Sequence, residues 1–147
     1  MNTITNPVKL ISFLSLYISF VSCTSSNSDV SNYIAEHIKH GKGTVVSLTK
    51  ATDFKWDKVY VCGPYMPPAE IDKILGLKFS YGHESAIQST DYYALIVFLY
   101  NGVVVHHFDH PAWHGNMSNL EKQDGYSPDE AIFILDNDGI LHHHLNQ

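Results

Sequence analysis

Histidine is the residue type in this chain most able to do chemistry. Ten of the 147 residues are His, and seven of them fall in two groups: His106, His107, His110 and His114, then His142, His143 and His144. The spacings His106 to His110 and His110 to His114 each leave three residues between rings, which lets two imidazoles meet one metal ion, and neutral imidazole suits zinc or copper. On a strand, His142 and His144 point to one face and His143 to the other. The metal-ligand set drawn from the sequence is therefore His106, His110, His114, His142 and His144, with Asp109 as an extra oxygen ligand or as the acceptor that orients a ring. No Cys-x-x-Cys or His-Glu-x-x-His frame accompanies these residues. The expectation is that no metal or other cofactor is needed, and that zinc or copper binding is the alternative.

Other chemistries have less behind them. Cys62 stands in an apolar stretch, where a cysteine is by default a small buried hydrophobe. No Gly-x-Ser-x-Gly elbow and no phosphate-binding glycine motif occurs. Asp136, Asn137, Asp138 and Gly139 look like the start of a calcium loop, but Leu141 to Gln147 offers no acid at the twelfth position. No catalytic residue is assigned, and a small hydrolase with unidentified residues stands as a second alternative.

Fifteen acidic residues face nine basic ones, all Lys, for a net charge of -6. A chain without a single Arg and with an acidic balance is poorly built to grip phosphates, which excludes a nucleic-acid partner. The composition, 44% hydrophobic and 16% charged, is that of one folded domain.

The elements that must position the histidines follow from pattern. Val30, Tyr33, Ile34 and Ile38 have helical spacing over Asp29 to Lys39, with Ser28 or Asp29 placed to cap and Gly41 to stop. Thr44 to Thr49 is β-branched and reads as a strand; Trp56 to Cys62 is a second, closed by Gly63-Pro64. Pro67 to Gly76 reads as a short helix with Pro at its start and Gly at its end. Tyr92 to Tyr100 and Val103 to Phe108 flank Asn101-Gly102, a type I′ hairpin signal, and Ile132 to Leu135 and Ile140 to Leu145 flank a second turn at Asn137-Asp138-Gly139. Ser127 to Glu130 reads as a helical turn. Local hairpins dominate, so the expected fold is α+β, a mostly antiparallel sheet with two short helices on one face.

The N-terminus has a different character. Leu10 to Val21 is 12 residues long and apolar apart from three Ser, the length of a signal-peptide core and below the roughly 20 residues that span a bilayer. It runs into Phe20-Val21-Ser22-Cys23 and the polar Thr24 to Ser28. This stretch resembles the lipobox of bacterial lipoproteins, with Phe20 in place of the usual Leu. The resemblance implies that residues 1–22 are a signal peptide, that Cys23 is lipidated, that 23–28 form a tether, and that 29–147 are a single domain. It also implies a periplasm-facing, membrane-anchored protein of the cell envelope, and Thr24, rather than Asp, after the cysteine points to the outer membrane before the inner.

Residues 54–135 carry a second resemblance. Trp56-Asp-Lys-Val-Tyr-Val-Cys-Gly-Pro-Tyr-Met-Pro67, Glu70 to Gly76, Phe108-Asp-His-Pro111 and Tyr126 to Ala131 are similar to a group of small bacterial lipoproteins of unassigned function. It implies a fold and no chemistry. The Trp, Tyr and Pro side chains of its first string read as strand and turn packed into the core. The functional expectation is a lipid-anchored, non-enzymatic envelope protein, an assembly or immunity-like factor, that binds an envelope protein of basic character. Trp113, His110 and His114 are the candidate contact residues, because an aromatic in a loop between strands is a frequent hot spot. Packing of Trp113 as a lid on the core is the competing reading.

Overall fold

The computed structural model describes residues 28–144. Its elements are α1 (Ser28–Ile38), β1 (Val45–Ser47), α2 (Leu48–Ala51), β2 (Lys58–Cys62), α3 (Pro68–Leu75), β3 (Tyr93–Tyr100), β4 (Val103–Pro111), β5 (Ile132–Leu135) and β6 (Leu141–His143), with single 3-10 turns at Ser80–His83, Ala86–Gln88 and Ala112–His114. The fold is α+β. Its strands form two antiparallel three-stranded sheets, ordered β2-β3-β4 and β1-β5-β6. No helix among the described residues is long and apolar enough to cross a membrane.

The helices do not share one face, as the hairpin pattern led us to expect. The reason lies in β3, where Ala94 to Leu99 are all buried, so both faces of the β2-β3-β4 sheet need a cover. Ala94, Ile96 and Phe98, with Val59, Val61 and Phe108, pack against Val30 and Ile34 of α1 and against Phe133, Leu135 and Leu141 of the second sheet. Leu95, Val97 and Leu99, with Tyr60 and Cys62, pack against Ile71 and Leu75 of α3 and against Phe79 and Ile87. The result is a three-layer domain with the apolar strand β3 at its centre.

Local chemistry explains the element ends. Asn101 and Gly102 both have positive φ, 52° and 75°, and join Tyr100 to its partner Val103 as a two-residue turn of the expected kind. The Asn101 N–H donates to Asp57 Oδ2 at 2.7 Å. The strand expected over Thr44 to Thr49 ends at Ser47, because Leu48 begins a single turn of helix. Thr52 Oγ1 donates to the Leu48 carbonyl at 3.0 Å and Thr49 Oγ1 to that of Pro128 at 2.9 Å, hydroxyl bonds that compete with a ladder. At Ser127 to Glu130 the carboxylate of Glu130 accepts both the Ser127 N–H and hydroxyl, and the Glu130 N–H donates to the Ser127 carbonyl at 3.0 Å, which closes the expected turn.

Candidate functional site: the aromatic end of the central sheet

Antiparallel order brings the end of β2, the start of β3 and the end of β4 to the same end of the central sheet: Cys62 pairs with Leu95, and Tyr93 with Pro111. Three large aromatics are exposed there. Tyr65, in the turn after β2, is 59% exposed; Tyr92, just before β3, is 64% exposed; Trp113, just after β4, is 61% exposed. Their backbones are nonetheless tied down. The Tyr65 N–H donates to the Ile87 carbonyl at 2.7 Å, and the Ala112 N–H to that of Tyr92 at 2.8 Å. The Trp113 ring meets Tyr93 edge-on at 5.5 Å. Tyr65 holds φ at 63°, a left-handed conformation that costs a tyrosine about 1 kcal/mol or more. Its side chain is thus held in solvent by a strained backbone. The lid reading of Trp113 is set aside by its exposure. Tyr65 is likewise not the core side chain that its neighbours Trp56 and Tyr60 are.

Behind Trp113 lies a latch built on His110. This ring is fully buried, so the expectation that it touches a partner is overturned: the inward face of β4 carries it beneath α1. Its Nε2 lies 2.9 Å from the Gly115 carbonyl, which only accepts, so Nε2 bears the proton and Nδ1 is the acceptor. The Ser31 hydroxyl therefore donates to His110 Nδ1 at 3.2 Å, and its oxygen accepts from His114 Nδ1 at 3.0 Å. Burial pushes the His110 pKa down to about 4, with His114 adding to the fall and the Gly115 carbonyl opposing it. Gly115 is required at the corner: its φ is 103°, and a Cβ would stand 3.1 Å from Leu141 Cδ1 and 3.3 Å from Ile38 Cγ2. Ser31 is itself 5% exposed, with its proton and a lone pair both committed. The trio therefore joins α1 to the end of β4 and offers no open nucleophile.

The remaining histidines go to separate places. His106 packs among Phe54, Phe98 and Phe108, and His107, on the opposite face of β4, lies 4.3 Å from the Tyr81 ring. Burial, foremost, pushes both of their pKa values down, so they fill space as neutral rings. His142 Nε2 sits 2.7 Å from Asp136 Oδ2 on the other sheet, and His144 follows the end of β6. Thus His106, His110, His114, His142 and His144 do not converge; among the described residues no three His, Cys, Asp or Glu are grouped to hold a metal ion. Asp109 does not orient His110 either. It points to the other face, accepting from Tyr81 Oη at 3.2 Å, Ala86 N at 2.9 Å and the Ser85 hydroxyl. Cys62 is fully buried, and desolvation, foremost, with Glu121 and Glu70 nearby, pushes its thiol up to about 12. Cys23 lies outside the described residues.

No family model, no curated protein and no solved structure matches the chain. What the geometry itself displays is three exposed aromatics at one end of the central sheet, on backbones tied by hydrogen bonds, with the Ser31 hydroxyl near Trp113 engaged by His110 and His114. Of that surface, sequence reasoning found Trp113 and missed Tyr65 and Tyr92. The signal for Tyr92 was its place at the edge of the apolar run, next to Asp91 and ahead of the buried stretch Ala94 to Leu99. For Tyr65 there was none, since a left-handed tyrosine cannot be read from residue type.

Proposed function

We propose that the protein is a lipid-anchored factor of the cell envelope that acts by binding another protein through the aromatic end of its central sheet. The observation that carries this reading is the joint exposure of Tyr65, Tyr92 and Trp113 on backbones fixed by hydrogen bonds. Aromatic side chains bring large contact area at little entropic cost, and monomeric proteins seldom leave several together in water. The lipobox-like Phe20 to Cys23 supports the anchor, with residues 1–22 removed, Cys23 acylated and the domain facing the periplasm. An anchor suits a binder, since it confines it to the surface that partners pass.

The test uses both halves. Cys23→Ala leaves the chain precursor-sized or releases it from the membrane fraction; unchanged processing and partition would refute the anchor. Trp113→Ala weakens co-purification of a crosslinked envelope protein while the thermal midpoint stays near wild type. Full retention of crosslinking in a Tyr65→Ser, Tyr92→Ser, Trp113→Ser variant would take the function away from this surface.

A further inference from the structure

We infer that the groove between α1 and Trp113 receives an arginine or lysine side chain from a basic segment of the protein partner, a conclusion that rests on the protein-binding reading above. The groove holds about 400 Å³ and is bordered by Asn32, Ala35, Glu36 and Ile38 of α1, by Lys39 in the turn after it, and by Trp113 and His114, the His114 ring being tied to Ser31 through Nδ1. Each part of a long cationic side chain finds a counterpart there. Ile38 and Ala35 give apolar footing to its methylenes. The indole of Trp113 is the aromatic that attracts a cation best, by about 0.5–1 kcal/mol at exposed sites and more when water leaves. Glu36 offers a carboxylate, which Lys39 now accompanies. That pair is solvent-exposed on both sides and contributes little, so an incoming guanidinium displaces Lys39 at small cost.

The charge of the whole chain points the same way. The described residues hold all fifteen acids and eight of the nine lysines, Lys9 lying outside them, and no Arg. Of those lysines only Lys39 borders the groove, and Lys58 begins β2 at the far end of the central sheet. A surface made to lie on anionic lipid would ring its aromatics with lysines. Here Glu36 balances the one lysine at the groove, Asp91 is exposed beside Tyr92, and the acidic balance of the chain as a whole steers a basic polypeptide.

The probe is a hexa-arginine peptide, with hexaglutamate and a Gly-Ser hexapeptide as controls, added to the membrane-extracted protein in detergent. The two indole N–H resonances report separately, because Trp56 is buried with its Nε1 on Thr52. Hexa-arginine shifts the Trp113 signal and leaves Trp56 in place; Glu36→Gln weakens the affinity about fivefold or more, and Trp113→Ala abolishes the site. Equal affinity in both variants would mean diffuse attraction to an acidic chain and would overturn the inference. So would protection of Trp113 from acrylamide by phosphatidylcholine/phosphatidylglycerol vesicles and not by the peptide, which would give the surface to the bilayer. A photo-crosslinker at position 92 in living cells separates the two levels. Capture of a protein through a segment without Lys or Arg sinks the inference and leaves the protein-binding reading standing; no protein captured, with vesicle protection, sinks both.

Discussion

The two ends of the central sheet are held by different means. At the hairpin end, Asn101 and Gly102 reverse the chain between paired neighbours Tyr100 and Val103, and both residues tolerate their positive φ. At the aromatic end, closure depends on residues far apart in sequence: Ser31 reaches His110 across 79 positions and His114 across 83. There the backbone also holds Tyr65 in a conformation that tyrosine resists. A turn that only has to fold is built from residues that favour it. An end that has to present side chains spends buried polar groups and strain, and both are placed where rigidity aims an exposed ring.

That contrast is sharpest at histidine. His110→Ala removes a buried ring and takes the acceptor from the Ser31 proton and the donor from the Gly115 carbonyl, so we expect a loss of about 3 kcal/mol or more in urea unfolding. His142→Ala, on an exposed ring, changes stability by less than about 0.5 kcal/mol. Comparable losses in the two variants would erase the distinction between a built-in histidine and a surface one.

Acid should attack the same end. His110 has its pKa pushed down to about 4 in the folded protein, against 6.5 ordinarily. Between these values the unfolded chain binds the proton and the folded chain does not, so unfolding is favoured as pH falls. The full contribution is present above pH 6.5, is lost progressively toward pH 4, and amounts to about 3 kcal/mol. Urea midpoints from pH 7.5 to 4 in wild type and His110→Gln measure it; parallel pH slopes for the two would show that His110 is not the group responsible. At the hairpin end, Gly102→Val forces a β-branched residue to a φ of 75° with no steric neighbour to blame. The cost is about 1–2 kcal/mol through the backbone alone, read as a lowered thermal midpoint with no change in peptide binding at the opposite end.

What could be read in the sequence follows the same division. The Asn-Gly turn, the Pro-to-Gly helix α3 and the apolar run of β3 are written locally, and the structure has them within a residue or two of the expected ends. The split into two sheets was present in Ala94 to Leu99, whose unbroken apolar run demands two covered faces, but a list of hairpins does not say which cover goes where. The candidate site was the least legible. His106, His110 and His114 have ligand spacing, yet the period of two on β4 turns His106 and His110 toward packed rings and α1, and Val105 bulges between Val104 and His106 to reset that alternation. Ser31 carried no signal at all, because its partners lie at the far end of the chain.

The smallest expected effect has the opposite sign and bears most directly on what the aromatic end is for. Tyr65→Asn keeps the backbone hydrogen bond to Ile87 and places at φ 63° a residue that accepts the left-handed region far more cheaply. It also discards the part of the ring that packs against the protein, which offsets some of the relief. We therefore expect a thermal midpoint between unchanged and slightly raised, corresponding to no more than about 1 kcal/mol of stabilisation. Binding at the aromatic surface should weaken in the same variant, since an exposed ring has been taken from it. A residue kept at a cost to stability and lost at a cost to recognition is one placed for contact. Should Tyr65→Asn instead unfold the protein by more than about 1 kcal/mol, Tyr65 is a packing residue of the turn, and the aromatic end shrinks to Tyr92 and Trp113.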